Sequence, residues 1–309
     1  MGTHDNPTPG YEEQPTAIRA GRFTFPIGSR TYVMGILNVT PDSFSDGGKY
    51  DDLDQAVRHA EDMLKQGADM IDVGGESTRP GSTPVSCEEE LQRIIPVIDR
   101  INRTLGCPIS VDTYKPAVAA AALAAGACIL NDINGLQKDP AMAVAACRYQ
   151  AGVVIMHNAR LYRNEAAPGP GRTDLMTDVR NFLARSVQVG LAAGLDRDQL
   201  ILDPGIGFGI TPEESIEMIS RLHDLTQLGF PILLGPSRKR FIGHILGLPA
   251  TERVFGTAAA VALGIAYGAD IVRVHDVREM TEVVRVADAI CRSGRPPAIP
   301  EQSSRGKQG

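Results

Sequence analysis

The sequence alternates between short apolar runs and longer helical stretches, and this alternation limits the fold more than any other feature. Each apolar run has the length of one buried strand and ends in a polar or glycine-rich junction. Such runs are typical of strands that are covered on both faces. The eight runs are residues 33–37, 70–73, 109–111, 129–130, 153–156, 200–202, 232–234 and 271–274.

Helical spacing of apolar residues is found between these runs. Eight strand–helix units in about 265 residues fit a (β/α)8 TIM barrel in number and length. A doubly wound open sheet stays the alternative, because the alternation alone does not separate the two α/β folds. The predicted helices are residues 53–67, 87–103, 116–125, 141–149, 175–193, 212–228, 251–267 and 279–291.

The remaining segments predict one domain with two tails. Residues 1–21 are rich in Pro, Gly, Thr and Glu without periodicity, so we expect a disordered N-terminal arm. Residues 22–33 alternate around Ile27-Gly28-Ser29 and predict a β-hairpin that leads into a barrel over residues 22–292. Residues 293–309 predict a disordered C-terminal tail, and residues 158–173 predict a long loop.

Charge and composition exclude several function classes. A net charge of −6 and a pI near 5.6 argue against a nucleic-acid partner. The chain has no apolar run of transmembrane length, and its first residues lack the pattern of a signal peptide. The five cysteines are widely spaced, without zinc-site spacing. We therefore expect a cytoplasmic protein with no membrane partner.

Polar residues close the apolar runs, and in a barrel they would all face one mouth. Any single Asp among them, taken alone, is better explained as a helix cap or a turn former. As a set, the carboxylates and amide suit the N–H groups of a flat heterocycle, and the cations suit a phosphate or pyrophosphate. The acceptors are Asp112, Asn131 and Asp203, and the cations are Arg79, Lys239, Arg273 and His275.

Seven segments closely resemble motifs of the dihydropteroate synthase family. In order they are GILNVTPDSFSDGG, DVGGESTRPG, SVDT, NDI, LDPGIGFG, GPSRK and VRVHDV, within residues 22–291. The resemblance implies a TIM-barrel transferase of folate biosynthesis that is a sulfonamide target. It implies two small-molecule substrates, 6-hydroxymethyl-7,8-dihydropterin pyrophosphate and 4-aminobenzoate, with Mg2+ as the cofactor and a homodimer formed through the last helices.

The resemblance also implies roles for individual residues. Loops 40–50 and 76–86 would close over the site. The expected catalytic residues are Asp112, Lys239, Asn38, Arg273 and His275. Pterin would contact Asp112, Asn131, Ile133, Met156, Asp203, Gly235, Lys239 and Arg273. Pyrophosphate would contact Asn38, Arg79, Arg273 and His275, with Asn38 also binding the metal. The 4-aminobenzoate subsite would contain Phe44, Thr78, Arg79, Pro80, Phe208 and Lys239.

The implied chemistry needs neither a nucleophilic side chain nor a strong base. The electron-rich dihydropterin can carry positive charge as pyrophosphate leaves, which favours an SN1-like substitution by the arylamine. Three positions depart from the family pattern: Ile210 replaces a frequent Lys, Arg240 replaces a Ser, and the loop after His157 differs. A pterin-dependent methyltransferase domain and a non-catalytic pterin-binding paralogue are the competing interpretations.

Overall fold

The computed structural model describes residues 15–40, 49–77, 83–163 and 174–292. Ten strands are found in this part of the chain. They are β1 (Ala17–Ala20), β2 (Phe23–Pro26), β3 (Tyr32–Asn38), β4 (Met70–Gly74), β5 (Ile109–Asp112), β6 (Ile129–Asp132), β7 (Gly152–Met156), β8 (Leu200–Asp203), β9 (Leu233–Leu234) and β10 (Ile271–Val274).

Strands β3 to β10 form a closed parallel barrel. Their order in the sheet is β8-β7-β6-β5-β4-β3-β10-β9. The two ends of this sheet meet, because Leu202 in β8 forms a parallel bridge with Ile232 and its N–H donates to the carbonyl of Pro231 at 2.8 Å. An open doubly wound sheet would leave these edges apart. The predicted (β/α)8 TIM barrel is confirmed.

Helices connect the strands around the outside of the barrel. The predicted stretch 212–228 is broken, because the backbone leaves the helical conformation at Arg221 (φ −108°, ψ 18°). The sequence did not predict α8, which has only two turns in which to show periodicity. The helices are α1 (Lys49–Lys65), α2 (Cys87–Thr104), α3 (Pro116–Ala125), α4 (Ala141–Arg148), α5 (Leu175–Ala192), α6 (Pro212–Ser220), α7 (His223–Thr226), α8 (Arg240–Leu246), α9 (Val254–Ala266) and α10 (Val277–Cys291).

Local sequence signals fix several helix ends. Ser86 caps α2 by accepting a hydrogen bond from the backbone N–H of Glu89 at 3.1 Å. Thr211 and Glu214 form a reciprocal capping box at the start of α6. Helix α3 begins with Pro116 in its first turn and ends at Gly126, whose φ of 117° suits glycine.

The N-terminal hairpin lies elsewhere in the sequence than predicted. It pairs β1 with β2 through a two-residue turn at Gly21-Arg22, whereas the predicted turn was at Ile27-Gly28-Ser29. Gly21 adopts φ 55°, which permits the tight turn. The prediction of a disordered arm over residues 1–21 is wrong for Ala17–Ala20, which form β1. Residues 1–14 and 293–309 lie outside the described residues.

The buried core has two parts. The larger part fills the space between the barrel strands and the surrounding helices. The smaller part lies inside the barrel at the end where the strands begin, and the hairpin covers it with Ile18 and Phe25, which pack with Met34, Met70 and Leu233. Within the described ranges, no helix is both long and apolar enough to cross a membrane. The hairpin closes one end of the barrel, and the strand C-termini form the other.

Candidate active site

Cross-strand register brings the predicted polar residues together at the C-terminal end of the barrel. Asn38 in β3 pairs with Gly74 in β4, Gly74 pairs with Asp112 in β5, and Asp112 pairs with Asn131 in β6. Neighbouring parallel strands thus place these four residues in one row around the mouth. Asp203 is the last residue of β8 and is buried.

Arg273 organises the charged side chains of the mouth. Its Nε lies 2.6 Å from Asp72 Oδ2, and its Nη2 lies 2.7 Å from Asp112 Oδ2. Asn131 donates its amide N–H to the same Asp72 oxygen at 3.2 Å. The side chain of Arg273 is only 19% exposed, and its hydrogen bonds to two carboxylates offset the loss of hydration of the guanidinium. Asp72, Asp112, Asn131 and Arg273 therefore form one connected polar cluster.

Burial shifts the protonation equilibria of this cluster. It raises the pKa of Asp112 to about 7, against the opposing charge of Arg273. It likewise raises the pKa of Asp203 to about 6. Burial, together with repulsion from Arg273, lowers the pKa of Lys239 to about 8. Burial opposes the charge on Arg273 as well, but Asp72 and Asp112 raise its pKa overall. Groups whose pKa values approach neutrality are typical of functional sites.

Lys239 reaches the mouth from the loop that follows β9. Its Nζ lies 4.3 Å from the centre of the Phe208 ring, a distance at which a cation and an aromatic face attract. Arg253 fixes this loop by donating to the backbone carbonyls of Arg238 at 3.0 Å and of Lys239 at 3.2 Å. Lys239 and Phe208, both predicted for the 4-aminobenzoate subsite, thus lie side by side.

The predicted pyrophosphate half contains Asn38 and His275. Nδ1 of His275 is hydrogen-bonded to Ser237 Oγ at 3.0 Å, and the backbone N–H of His275 donates to the same oxygen at 3.2 Å. A β-carbon at Gly74 would lie 4.0 Å from Asn38 Oδ1, so glycine leaves space beside this amide oxygen. Amide oxygens are hard ligands that suit Mg2+. Within the described ranges, no cluster of three His, Cys, Asp or Glu side chains is placed to bind a metal.

The predicted wall of the pterin pocket lies at three other strand ends. Ile133 follows β6 and is half-buried, while Met156 ends β7 and is buried. Gly235 follows β9, where a β-carbon would lie 3.8 Å from Cβ of Arg273. The four remaining predicted contacts lie outside the described residues; they are Phe44, Thr78, Arg79 and Pro80.

Of the three departures from the family pattern, Ile210 and Arg240 lie outside the cluster. Ile210 packs partly buried against the core, and Arg240 is exposed at the first residue of α8. After β7, Asn158 caps a short 3-10 turn over Ala159–Leu161, and residues 164–173 lie outside the described part. His157 is buried, with Nδ1 3.0 Å from the Pro204 carbonyl oxygen and Nε2 2.7 Å from Tyr162 Oη.

Sequence reasoning missed two residues that hold the site together. Asp72 lies inside an apolar run, and its side chain is fully buried. The signal was a carboxylate in the middle of a strand that is otherwise apolar, where an ion must find a partner. Ser237 lies within the GPSRK segment, and a serine carries no sequence signal for the histidine that it contacts.

Comparison with known proteins decides the family. A family model described as pterin binding enzyme matches residues 34–275. The dihydropteroate synthase of Bacillus subtilis is 51% identical to this chain over 265 residues, which are 86% of this chain and 90% of the relative. The chain belongs to the dihydropteroate synthase family.

Solved dihydropteroate synthases share the fold. The Clostridium difficile enzyme, crystallised in the presence of pteroic acid, is 49% identical, with a TM-score of 0.82 and coverage of 87% of this chain and 100% of that one. The Xanthomonas albilineans enzyme with 4-aminobenzoic acid is 40% identical, with a TM-score of 0.81 and coverage of 89% and 98%. The chain is therefore a transferase of folate biosynthesis. These identities favour it over the methyltransferase and non-catalytic alternatives.

Proposed function

We propose that the polar cluster binds the pterin half of 6-hydroxymethyl-7,8-dihydropterin pyrophosphate. The observation that carries this assignment is that Arg273 and Asn131 both donate to the buried carboxylate of Asp72, while Arg273 also donates to Asp112. Asp112 and Asp203 supply carboxylate acceptors for the N–H groups of a flat heterocycle, and Asn131 adds an amide. Ile133, Met156 and Gly235 would form the apolar walls of the pocket.

Pyrophosphate binds on the opposite half of the mouth in this proposal. Arg273 and His275 offer donors there, together with Arg79 from outside the described residues. Asn38 would hold Mg2+ through its amide oxygen, and the bound ion would offset negative charge on the phosphates. Small-molecule substrates of this kind agree with the charged side chains at the mouth.

The reaction proceeds by an SN1-like substitution in this account. Departure of pyrophosphate leaves positive charge on the exocyclic carbon of the dihydropterin, which the carboxylate of Asp112 stabilises. The 4-aminobenzoate nitrogen then attacks, while Phe208 and Lys239 orient the ring and its carboxylate. Phe44, Thr78, Arg79 and Pro80 complete the proposed subsite.

Pterin affinity tests the assignment of the pterin site. We expect Asp203→Asn to weaken binding of a pterin ligand at least about tenfold in titration calorimetry, because one charge-assisted pair of hydrogen bonds is lost. Asp270→Asn is the matched control, since Asp270 is an acidic residue that accepts from the Ile232 N–H at 3.1 Å near the opposite end of the barrel. Unchanged affinity in Asp203→Asn would refute the assignment.

We further propose that the synthase is a cytoplasmic homodimer formed through its last helices. Large apolar side chains on α8, α9 and α10 are exposed, including Ile245 at 60%, Phe255 at 85% and Ile290 at 77%. Clustered exposed apolar side chains favour protein contacts. Sedimentation velocity should give a dimer for the protein and a monomer for Phe255→Glu, and a monomer for both would contradict the proposal.

A further inference from the structure

Asp72 occupies a position in the barrel that is unusual for an acidic residue. It lies in the middle of β4, and its side chain is fully buried. Its register neighbours are Ile36 in β3 and Ser110 in β5. A carboxylate at such a place loses its hydration and needs compensating contacts.

The contacts of Asp72 all lead to the proposed pterin site. Its Oδ2 accepts from Arg273 Nε at 2.6 Å and from Asn131 Nδ2 at 3.2 Å. In the sheet order, β4 is two strands away from β6 and two strands away from β10, in opposite directions. One carboxylate oxygen therefore joins side chains that come from opposite sides of β4.

The other oxygen indicates why Asp72 is there. Asp72 Oδ1 and the neighbouring Ser110 Oγ are buried, and neither has a hydrogen-bond partner among the described residues. A half-satisfied buried carboxylate costs stability relative to an apolar residue such as the adjacent Ile36. We therefore infer that Asp72 contributes by holding Arg273 and Asn131 in place.

We propose that Asp72 is a positioning residue for the synthase reaction. Its Oδ2 anchors Arg273 through Nε, so that the guanidinium keeps its place when the Nη2 partner, Asp112, turns to the substrate. The same oxygen takes the N–H of Asn131, which directs the amide oxygen of Asn131 toward the ligand as an acceptor. This role rests on the proposed function, in which Asp112 and Asn131 bind the pterin.

The variant Asp72→Asn tests this role, because it keeps the shape of the side chain and removes its charge. We expect kcat/KM to fall at least about thirtyfold and pterin affinity at least about tenfold, with Asp270→Asn as the control for loss of a carboxylate elsewhere in the barrel. Wild-type affinity and activity in Asp72→Asn would overturn the proposal. If Asp203→Asn also binds pterin normally, the proposed pterin site itself is wrong. If Asp203→Asn binds pterin weakly while Asp72→Asn behaves like the unaltered protein, only the proposed role of Asp72 is wrong.

The pH profile separates positioning from general structural damage. Asp112 faces Arg273, Asp72, Glu90 and Lys239, and the negative charge of Asp72 contributes to its raised pKa. Removal of that charge should move the acid limb of pterin affinity to lower pH, whereas Asp270→Asn should leave the limb in place. An unshifted limb in Asp72→Asn would contradict the electrostatic contact.

A measurement on the unaltered protein covers the case in which Asp72→Asn does not fold. Nitrogen-detected NMR of arginine side chains reports the exchange of Arg273 Hε with water. We expect strong protection in the free protein that persists when pterin is bound, because the Asp72 contact is retained. Rapid exchange in either state would overturn the proposal.

Discussion

Burial shifts the protonation of three charged side chains in the mouth of the barrel. Asp112 and Asp203 have pKa values raised to about 7 and about 6, and Lys239 has a pKa lowered to about 8, with burial as the largest cause in each case. The free site therefore binds protons near neutral pH. A ligand that needs carboxylate acceptors must displace them.

This coupling predicts that pterin affinity depends on pH. The pKa of Asp203 is raised in the free protein and should fall when ligand N–H groups bind. At pH values between the pKa of the free form and that of the bound form, binding therefore releases a proton. Affinity should rise with pH in that window and weaken by up to about tenfold per pH unit below about pH 6. Calorimetry in buffers of different ionisation enthalpy measures the released proton.

The variant Asp203→Asn is the control for that dependence. It should lose affinity overall and lose part of the pH dependence, because its amide does not titrate in this range. Equal pH dependence in the variant and the unaltered protein would show that the titration belongs to another group.

At the scale of elements, the turn after β8 is the most constrained part of the site. The backbone N–H of Gly205 donates to Asp203 Oδ1 at 2.7 Å, and Gly205 adopts φ 75°. A β-carbon there would clash with the carbonyl oxygen of His157. Buried His157, whose pKa burial lowers to about 4, fixes the same turn through Pro204.

We predict that Gly205→Ala displaces Asp203 and destroys pterin binding. The expected loss of stability exceeds about 3 kcal/mol, since a backbone clash adds to the strain of the positive φ. Gly28→Ala is the matched control, because Gly28 has φ 91° with no atom near its β-carbon position. Urea denaturation should show that Gly28→Ala lowers the free energy of unfolding by about 1 kcal/mol, because this variant has only the strain of the positive φ. Equal losses in the two variants would contradict the clash.

The elements also show what the sequence predicts well. All eight barrel strands follow from local apolar runs that end in polar junctions, so the location of Asp112 and Asp203 at strand ends was predictable. Asp72 was not, because its partners Arg273 and Asn131 are distant in sequence and their contact depends on the register of β4. The hairpin was misplaced because Gly21 and Gly28 are both able to form a turn, and only packing against the barrel decides between them.

At the scale of the whole molecule, the N-terminal hairpin and the polar cluster lie at opposite ends of the barrel. The hairpin covers the end where the strands begin, with Ile18 1% exposed and Phe25 7% exposed. The polar cluster lies at the C-terminal ends, where barrel enzymes hold their active sites.

This separation predicts that damage to the hairpin spares catalysis. Ile18→Ala should lower the free energy of unfolding by about 2–4 kcal/mol, because a fully buried side chain is truncated, while kcat/KM of the folded protein stays unchanged. The control Val144→Ala, at a side chain that is 61% exposed, should lower the free energy of unfolding by less than about 1 kcal/mol. A large fall in kcat/KM for Ile18→Ala would show that the two ends are coupled.

The most direct test of the account is pyrophosphate release from dihydropterin pyrophosphate and Mg2+, measured with and without 4-aminobenzoate, for the protein and for Asp112→Asn. We expect release that depends on 4-aminobenzoate, yields one dihydropteroate per pyrophosphate and falls at least about a hundredfold in the variant. Pterin binding without any release, or equal rates in the variant, would contradict it.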